Sequence, residues 1–128
     1  MFLAVISPSV IRGTLTPPPS KSAAHRLLIA AALAGEGRVR GLSLSADMEA
    51  TLRAVRGLGV SVRLDGDAAC FAPAPPSSSP SPLPVDCGES GSTLRFLIPL
   101  YAARGIPAVF TGHGRLPERP LGVYADCL

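Results

Sequence analysis

The sequence has no tryptophan, two tyrosines and four phenylalanines among its 128 residues. It also has little charge: charged residues make up 16% of the chain, the net charge is +3, and Lys and Arg are spread thinly between apolar runs. Proteins that bind nucleic acids use stacking aromatic side chains and a dense basic stripe. We therefore expect no nucleic acid among its partners. The mild positive charge suits a small anionic ligand, and an ordinary excess of surface cations is the alternative.

Disulfide and metal patterns are missing as well. The cysteines Cys70, Cys87 and Cys127 are odd in number and form no CxxC pair, which argues against a secreted disulfide framework and a metal centre. Reduced thiols of a cytoplasmic protein are the simplest interpretation, with Cys87 a small buried thiol. No apolar run reaches the roughly 18 residues of a membrane span, and the apolar start lacks a basic leader. We expect no membrane partner and no metal.

Apolar runs and turn residues alternate in a way that predicts an α/β fold. The predicted strands are Phe2–Ile6, Val10–Leu15, Arg38–Leu44, Val60–Leu64, Ala69–Phe71, Leu83–Asp86 and Ile106–Thr111. The predicted helices are Lys21–Ala34 after a Ser20 cap, a helix from a Ser45 cap to Leu58, a helix from about Thr93 to Ala103 and one opening at Pro120. Pro99 predicts a kink or an early stop in the third helix.

Two further features affect the packing. The stretch LLIAAALA in the first helix is apolar nearly all round, which predicts burial on most sides. The segment PAPPSSSPSPLP, residues 73–84, is dense in Pro and Ser and predicts an exposed loop or extended edge.

The start of the first helix has the composition of an anion site. Its unpaired N–H groups and positive dipole end favour a negative charge. Ser22 and Arg26 are four residues apart and share one face, so a hydroxyl and a guanidinium can grip a carboxylate or phosphate together. Lys21 points about 100° away and can meet a second ligand group. The alternative is an ordinary Ser20 cap followed by solvated cations.

A second cluster, Gly88 to Arg95, repeats this order of small residues, a hydroxyl, a helix start and an arginine. Glycine lets the backbone approach a ligand closely, and Arg95 follows Ser92 by three residues on the same face. It is not a Walker A loop, because the G-K-[ST] ending is absent. A glycine turn with ordinary caps is the alternative, but two such clusters in one short chain favour a functional site.

A third cluster, Arg115 to Pro120, presents two arginines in a loop stiffened by proline. Such a loop can offer a fixed cation to a phosphate, although Glu118 can equally pair with a neighbouring arginine. Other polar residues have simpler explanations: we expect His25 to pack or lie at the surface instead of acting as a base, and Asp47 and Glu49 to complement a helix dipole.

Four segments in this order resemble the N-terminal part of the 5-enolpyruvylshikimate-3-phosphate synthase family: PPSKSAAHRLLIAAALAGEG, SADMEATLRAVRGLGV, CGESGSTLRFLIPL and GRLPERPLGVYADCL. The resemblance runs from about Arg12 to Leu128, and its succession of S-K-S-x-x-x-R, G-x-S-G-[ST]-x-x-R and E-R-P is specific. It implies transfer of the enolpyruvyl group from phosphoenolpyruvate to shikimate 3-phosphate with release of phosphate, without a metal or an organic cofactor. These two substrates are the implied small-molecule partners.

The resemblance also implies roles for individual residues. Lys21 matches a lysine that lies between both substrates and takes part in proton transfer or charge stabilisation. Ser22 and Arg26 match residues that hold shikimate 3-phosphate, chiefly at its carboxylate. Gly91 matches the glycine that closely approaches phosphoenolpyruvate, where glyphosate competes, and Arg119 matches the arginine that binds its phosphate.

Ser92 and Arg95 match positions that shape the pocket beyond this glycine. Glu89 departs from the Asn often found there, and a carboxylate beside an anion site must be turned away or paired. A sister family, the UDP-N-acetylglucosamine enolpyruvyl transferases, is disfavoured because it has a Lys-Asn pair where this chain has Lys21-Ser22. A non-catalytic small-anion-binding fragment is the alternative of a different class.

The family fold has two domains, each of three βαβαββ units, which close on the substrates. By this resemblance, residues 1–128 form an incomplete N-terminal domain of about one and a half units, and the second domain is absent. We therefore expect the isolated chain to be inactive. The full-length family is usually monomeric, whereas apolar surface left open on this chain is expected to favour self-association.

Overall fold

Helices and strands alternate along the chain in the computed structural model, which describes residues 3–10, 12–75 and 81–128. These residues form α1 (Lys21–Ala34), β1 (Gly37–Val39), α2 (Ala46–Ala54), β2 (Val60–Asp65), β3 (Ala68–Pro73), β4 (Leu83–Asp86), α3 (Gly91–Ala103), β5 (Ala108–Thr111) and α4 (Gly122–Cys127). β3 pairs antiparallel with both β1 and β2, while β4 and β5 pair in parallel across α3. The predicted α/β fold class is confirmed.

Helix α1 has the predicted bounds because both of its ends are capped as expected. Ser20 Oγ accepts a hydrogen bond from the Ala23 amide at 3.3 Å, and Gly35 closes the helix with φ of 82°. The prediction that α1 is buried on most sides is wrong. Leu27 is 54% exposed and Leu33 is 38% exposed. The described elements cover only one face of the helix, so its other apolar face lies open to solvent.

The strand predicted for Arg38–Leu44 is shorter, because Gly41 turns the chain with φ of 71°. The Asp67 side chain accepts a hydrogen bond from the Gly41 amide at 3.1 Å, which fixes this turn. Strands β2 and β3 form the predicted hairpin, and each is slightly longer than expected.

Helix α2 ends earlier than predicted and tightens into a 3₁₀ turn over Val55–Leu58. At this point the Tyr101 hydroxyl donates a 2.7 Å hydrogen bond to the Ala54 carbonyl, and Gly57 leaves room for the phenol. The predicted Ser45 cap has the right position but not the bond: within the described residues Ser45 Oγ has no hydrogen-bond partner.

The unit β4–α3–β5 follows the prediction with small shifts. β4 has the predicted bounds, and α3 begins two residues early, at Gly91, because Ser90 caps it. The helix continues past Pro99 to Ala103, so the predicted early stop does not occur. β5 begins only after Pro107, which has no N–H to offer a ladder. α4 begins at Gly122 instead of Pro120.

The two strands predicted nearest the amino terminus are not formed. Residues 3–10 and 12–15 are exposed and have no strand assignment, whereas Phe2 and Ile11 lie outside the described residues. Branched residues favour strands, but a strand needs a hydrogen-bonded neighbour, and the described sheets offer none to this segment. In the Pro/Ser segment, Pro73 and Leu83–Pro84 belong to strands, and residues 76–80 lie outside the described part.

One core unites the two sheets and α1 to α3. Its largest fully buried side chains are Tyr101, Leu28, Met48, Leu97, Val55, Thr51, Thr93 and Cys87. Two of these eight are threonines, and they lie where the three helices approach one another. Among the described residues, no helix has the length and apolar character that crossing a membrane requires.

Candidate anion-binding site

The start of α1 presents Lys21 to solvent beside the first turn of α2. Lys21 Nζ lies 3.5 Å from Asp47 Oδ2, and the two side chains are 63% and 38% exposed. Asp47 therefore has a second partner besides the dipole of its own helix. Such an exposed pair is readily broken, so Lys21 can leave Asp47 for an anionic ligand.

Arg26 is held in place by two contacts one turn further along α1. Its guanidinium donates a 2.9 Å hydrogen bond to the Ser22 carbonyl and lies 5.3 Å from the centroid of the Phe96 ring of α3. Ser22 and Arg26 do share one face, as predicted. The contact to Phe96 was not predictable from the sequence, because the two residues are far apart in the chain and only the packing of α1 near α3 joins them.

The start of α3 brings Gly91 against Arg119. Ser90 Oγ accepts a hydrogen bond from the Thr93 amide at 3.2 Å, which makes Gly91 the first residue of the helix. A Cβ added at Gly91 would lie only 2.7 Å from an Arg119 guanidinium nitrogen. The absence of a side chain at residue 91 thus allows Arg119 to lie directly over the helix start.

The loop before α4 fixes the position of Arg119. Buried Leu116 anchors it, and the Arg119 amide donates to the Leu116 carbonyl at 3.1 Å. Arg115 Nε lies 3.9 Å from Glu118 Oε2, so the pairing weighed from the sequence is present for Arg115. An open cleft of about 370 Å³ is lined by Arg115, Glu118, Arg119 and Pro120.

Glu89 is turned towards His113. Glu89 Oε1 lies 3.4 Å from His113 Nδ1, and the carboxylate occupies the space that a side chain at Gly114 would need. The carboxylate is thus turned towards the loop that contains His113 and Gly114.

The two helix starts are joined by buried side chains that the sequence analysis missed. Thr51 Oγ1 of α2 lies 2.8 Å from His25 Nδ1 and 2.7 Å from Thr93 Oγ1. His25 packs as predicted and is buried. Desolvation lowers its pKa, with Lys21 and Arg26 adding to that effect and Asp47 opposing it. Only the tertiary structure could show that these residues meet.

Arg95 and Ser92 lie on the exposed side of α3. Arg95 and Arg26 both line an apolar groove of about 290 Å³ between α1 and α3, together with Phe96 and Pro99. The Arg95 carbonyl accepts a 2.9 Å hydrogen bond from the Tyr124 hydroxyl, which ties α4 to α3.

The cysteines and acidic residues do not form a metal site within the described ranges. Cys87 is buried, as predicted, and burial together with Asp86 raises the pKa of its thiol to about 11. A group held so firmly in its neutral form is a poor nucleophile at neutral pH.

Comparison with known proteins shows the family of this chain. The sequence profile of the family described as EPSP synthase (3-phosphoshikimate 1-carboxyvinyltransferase) matches residues 5–128. A 3-phosphoshikimate 1-carboxyvinyltransferase from Clostridium kluyveri is 42% identical over 94% of this chain and 28% of its own length. One from Anaeromyxobacter is 41% identical over 87% of this chain and 26% of its own length.

Solved structures show the same relationship. EPSP synthase from Acinetobacter baumannii is similar with a TM-score of 0.65 and 28% identity, over 89% of this chain and 27% of that protein. The chain thus spans between a quarter and a third of the length of the relatives that it matches. Because the family profile covers nearly all of it, this chain belongs to the EPSP synthase family.

Proposed function

We propose that this chain supplies part of the active site of a 3-phosphoshikimate 1-carboxyvinyltransferase. The reaction transfers the enolpyruvyl group of phosphoenolpyruvate to shikimate 3-phosphate and releases phosphate. The observation that supports it most is the contact between the Arg119 guanidinium and Gly91 at the start of α3. This contact places a fixed cation at a helix N-terminus, and both features stabilise a bound phosphate.

Shikimate 3-phosphate is assigned to the start of α1. Ser22 offers a hydroxyl on the face from which the anchored Arg26 guanidinium projects. Only part of the Arg26 guanidinium contacts the Ser22 carbonyl and the Phe96 ring. Its remaining N–H groups can make a bidentate contact with the substrate carboxylate. Because these contacts already hold the Arg26 side chain in place, it loses less conformational entropy when it binds the substrate.

Phosphoenolpyruvate is assigned to the start of α3. Arg119, which lies over Gly91, is assigned to bind its phosphate beside the N-terminus of this helix. Lys21 pairs with Asp47 at the start of α2, and we assign to it the charge stabilisation or proton transfer of the reaction. Fixed cations offset the repulsion between two multiply charged anions.

The element order supports a position in the family fold. α1–β1–α2–β2–β3 corresponds to one βαβαββ unit without its first strand, and β4–α3–β5–α4 begins a second. We place residues 1–128 in the N-terminal domain and the rest of the active site in sequence beyond this chain. The free cysteines fit a cytoplasmic enzyme, and the open apolar face of α1 supports self-association of the isolated chain.

Titration of the ¹⁵N-labelled chain with shikimate 3-phosphate tests the assignment at α1. We expect saturable amide shifts at Lys21, Ser22 and Arg26 that inorganic phosphate does not reproduce and that Arg26→Ala abolishes. Equal responses to both anions would favour a non-specific anion-binding fragment instead.

A further inference from the structure

A buried line of hydrogen bonds runs from α1 through α2 to the cap of α3. It joins His25 Nδ1 to Thr51 Oγ1 at 2.8 Å, Thr51 Oγ1 to Thr93 Oγ1 at 2.7 Å, and Thr93 Oγ1 to Ser90 Oγ at 2.7 Å. All four residues are at most 3% exposed. The line therefore connects the two helix starts to which substrates were assigned, within the core and away from solvent.

The donors and acceptors of this line can be arranged in one direction. Thr93 Oγ1 donates to Ser90 Oγ, which also accepts from the Thr93 amide and so caps α3. In that arrangement Thr51 donates its single proton to Thr93 and accepts from His25. This order requires the proton of neutral His25 to be on Nδ1. Thr51 Oγ1 also lies 3.1 Å from the Asp47 carbonyl; if its proton goes there, Ser90 donates to Thr93, Thr93 donates to Thr51, and His25 still donates from Nδ1.

Polar groups are not needed here for packing. Valine has nearly the shape of threonine, and a hydrogen bond adds only modestly to stability, whereas each buried hydroxyl must be desolvated. What a fully satisfied buried network does add is a unique geometry. The exposed Lys21–Asp47 pair is screened by solvent and cannot fix the relative positions of α1 and α2 as firmly.

We infer that His25, Thr51 and Thr93 are positioning residues that hold the starts of α1 and α3 at the separation which binding of both substrates requires. The inference rests on the proposed function, because it takes both helix starts as binding positions. It assigns no contact with substrate to these three residues. Their effect passes through Ser22 and Arg26 on α1 and through Gly91 on α3.

The charges around His25 are consistent with its role as a neutral donor. Desolvation lowers its pKa, and Lys21 and Arg26 lower it further, while Asp47 acts in the opposite direction. These are the charged groups that face the imidazole from α1 and α2. The lowered pKa of His25 favours its neutral imidazole.

Replacing Thr51 by valine tests the inference, because the change removes the hydroxyl and keeps the shape. We expect amide shifts at both helix starts of the ligand-free chain, around Ser22 and around Gly91, and a loss of about tenfold in affinity for shikimate 3-phosphate. Tyr101→Phe is the matched control. It removes a buried hydroxyl that donates to the Ala54 carbonyl outside the line, and we expect it to lower stability without either effect.

Two variants of His25 test the same inference if Thr51→Val does not fold. The amide nitrogen of asparagine occupies nearly the position of Nδ1, so His25→Asn should retain most of the affinity for shikimate 3-phosphate. His25→Leu should lose it to the same extent as Thr51→Val. In the unaltered chain, imidazole ¹⁵N shifts should show the Nδ1–H tautomer at pH 7.

The possible outcomes separate this inference from the proposed function. If the unaltered chain does not bind shikimate 3-phosphate, the assignment of that substrate to α1 of this chain by itself fails, and the ligand-free shifts at Ser22 and Gly91 still show whether the line couples the two helix starts. The inference is overturned if Thr51→Val changes only amides of α2. It is equally overturned if Thr51→Val and Tyr101→Phe bind shikimate 3-phosphate with equal affinity.

Discussion

Two arginines distant in sequence are fixed by different means. Arg26 is anchored by the Ser22 carbonyl and the Phe96 ring, and Arg119 by the space over Gly91 and the buried Leu116 of its own loop. The sequence alone indicated that both residues could bind anions, because each follows small or rigid residues near a helix start. It could not indicate what orients each guanidinium, since those contacts come from other elements.

Cys87 allows a test of burial at the scale of one residue. Burial raises the pKa of its thiol to about 11, so it is protonated well above neutral pH, whereas Cys127 is exposed. In the native chain at pH 8, a thiol reagent should modify Cys127 rapidly and Cys87 only after unfolding. The rate is measured by mass spectrometry with Cys127→Ser as the control. Modification of Cys87 as fast as Cys127 would contradict the placement of this residue in the core.

The elements with strong local signals were predictable from the sequence. α1 has a serine cap and a closing glycine. β4 follows a proline-rich segment and precedes a turn that contains glycine. The bounds of both elements were therefore predicted correctly. Where a distant residue sets the boundary, the prediction was less accurate. The Tyr101 hydroxyl donates a hydrogen bond to the Ala54 carbonyl at the end of α2, and the Asp67 side chain accepts one from the Gly41 amide in the turn after β1.

Elements that depend on a partner were not predictable at all. The apolar segment before α1 has the composition of a strand but no neighbouring strand in the described sheets. The hydrogen-bonded line through Thr51 and Thr93 was missed for the same reason. Threonine in a helix gives no local sign that its hydroxyl meets another one 42 positions away.

Gly59 tests the backbone geometry that ends the second helical segment. It has φ of 89°, and a Cβ there would meet no atom within 4 Å, so the cost of Gly59→Ala is conformational and not steric. We expect this variant to lower the free energy of unfolding by about 1 kcal/mol. Urea unfolding followed by circular dichroism measures the change. Gly122→Ala is the control, because its site is open and lies outside the left-handed region; an equal loss in both variants would contradict the assignment.

At the scale of the whole molecule, the chain offers two cationic helix starts on one core. Relatives in the family are more than three times as long, and this chain aligns with only 28% of the Clostridium kluyveri protein. The side chains assigned to the two sites, Lys21, Ser22, Arg26 and Arg119, are exposed in the described structure, so water reaches both. Catalysis that depends on fixed charges requires water to be excluded from the site.

The isolated chain is therefore expected to release no phosphate from a mixture of shikimate 3-phosphate and phosphoenolpyruvate. A phosphate-release assay measures this, with the full-length relative from Clostridium kluyveri as the positive control. Turnover that depends on both substrates and is lost in Lys21→Ala would show that the chain alone holds a complete active site.

The central claim is that this chain holds two distinct anion positions, one for each substrate. The most direct measurement is a map of ¹⁵N amide shifts produced separately by shikimate 3-phosphate and by phosphoenolpyruvate, with inorganic phosphate as the reference. We expect shikimate 3-phosphate to shift the amides of Lys21, Ser22 and Arg26, and phosphoenolpyruvate to shift those of Gly91 and Arg119. If both ligands move the same amides as inorganic phosphate, or if neither moves any in a well-folded spectrum, the claim is wrong.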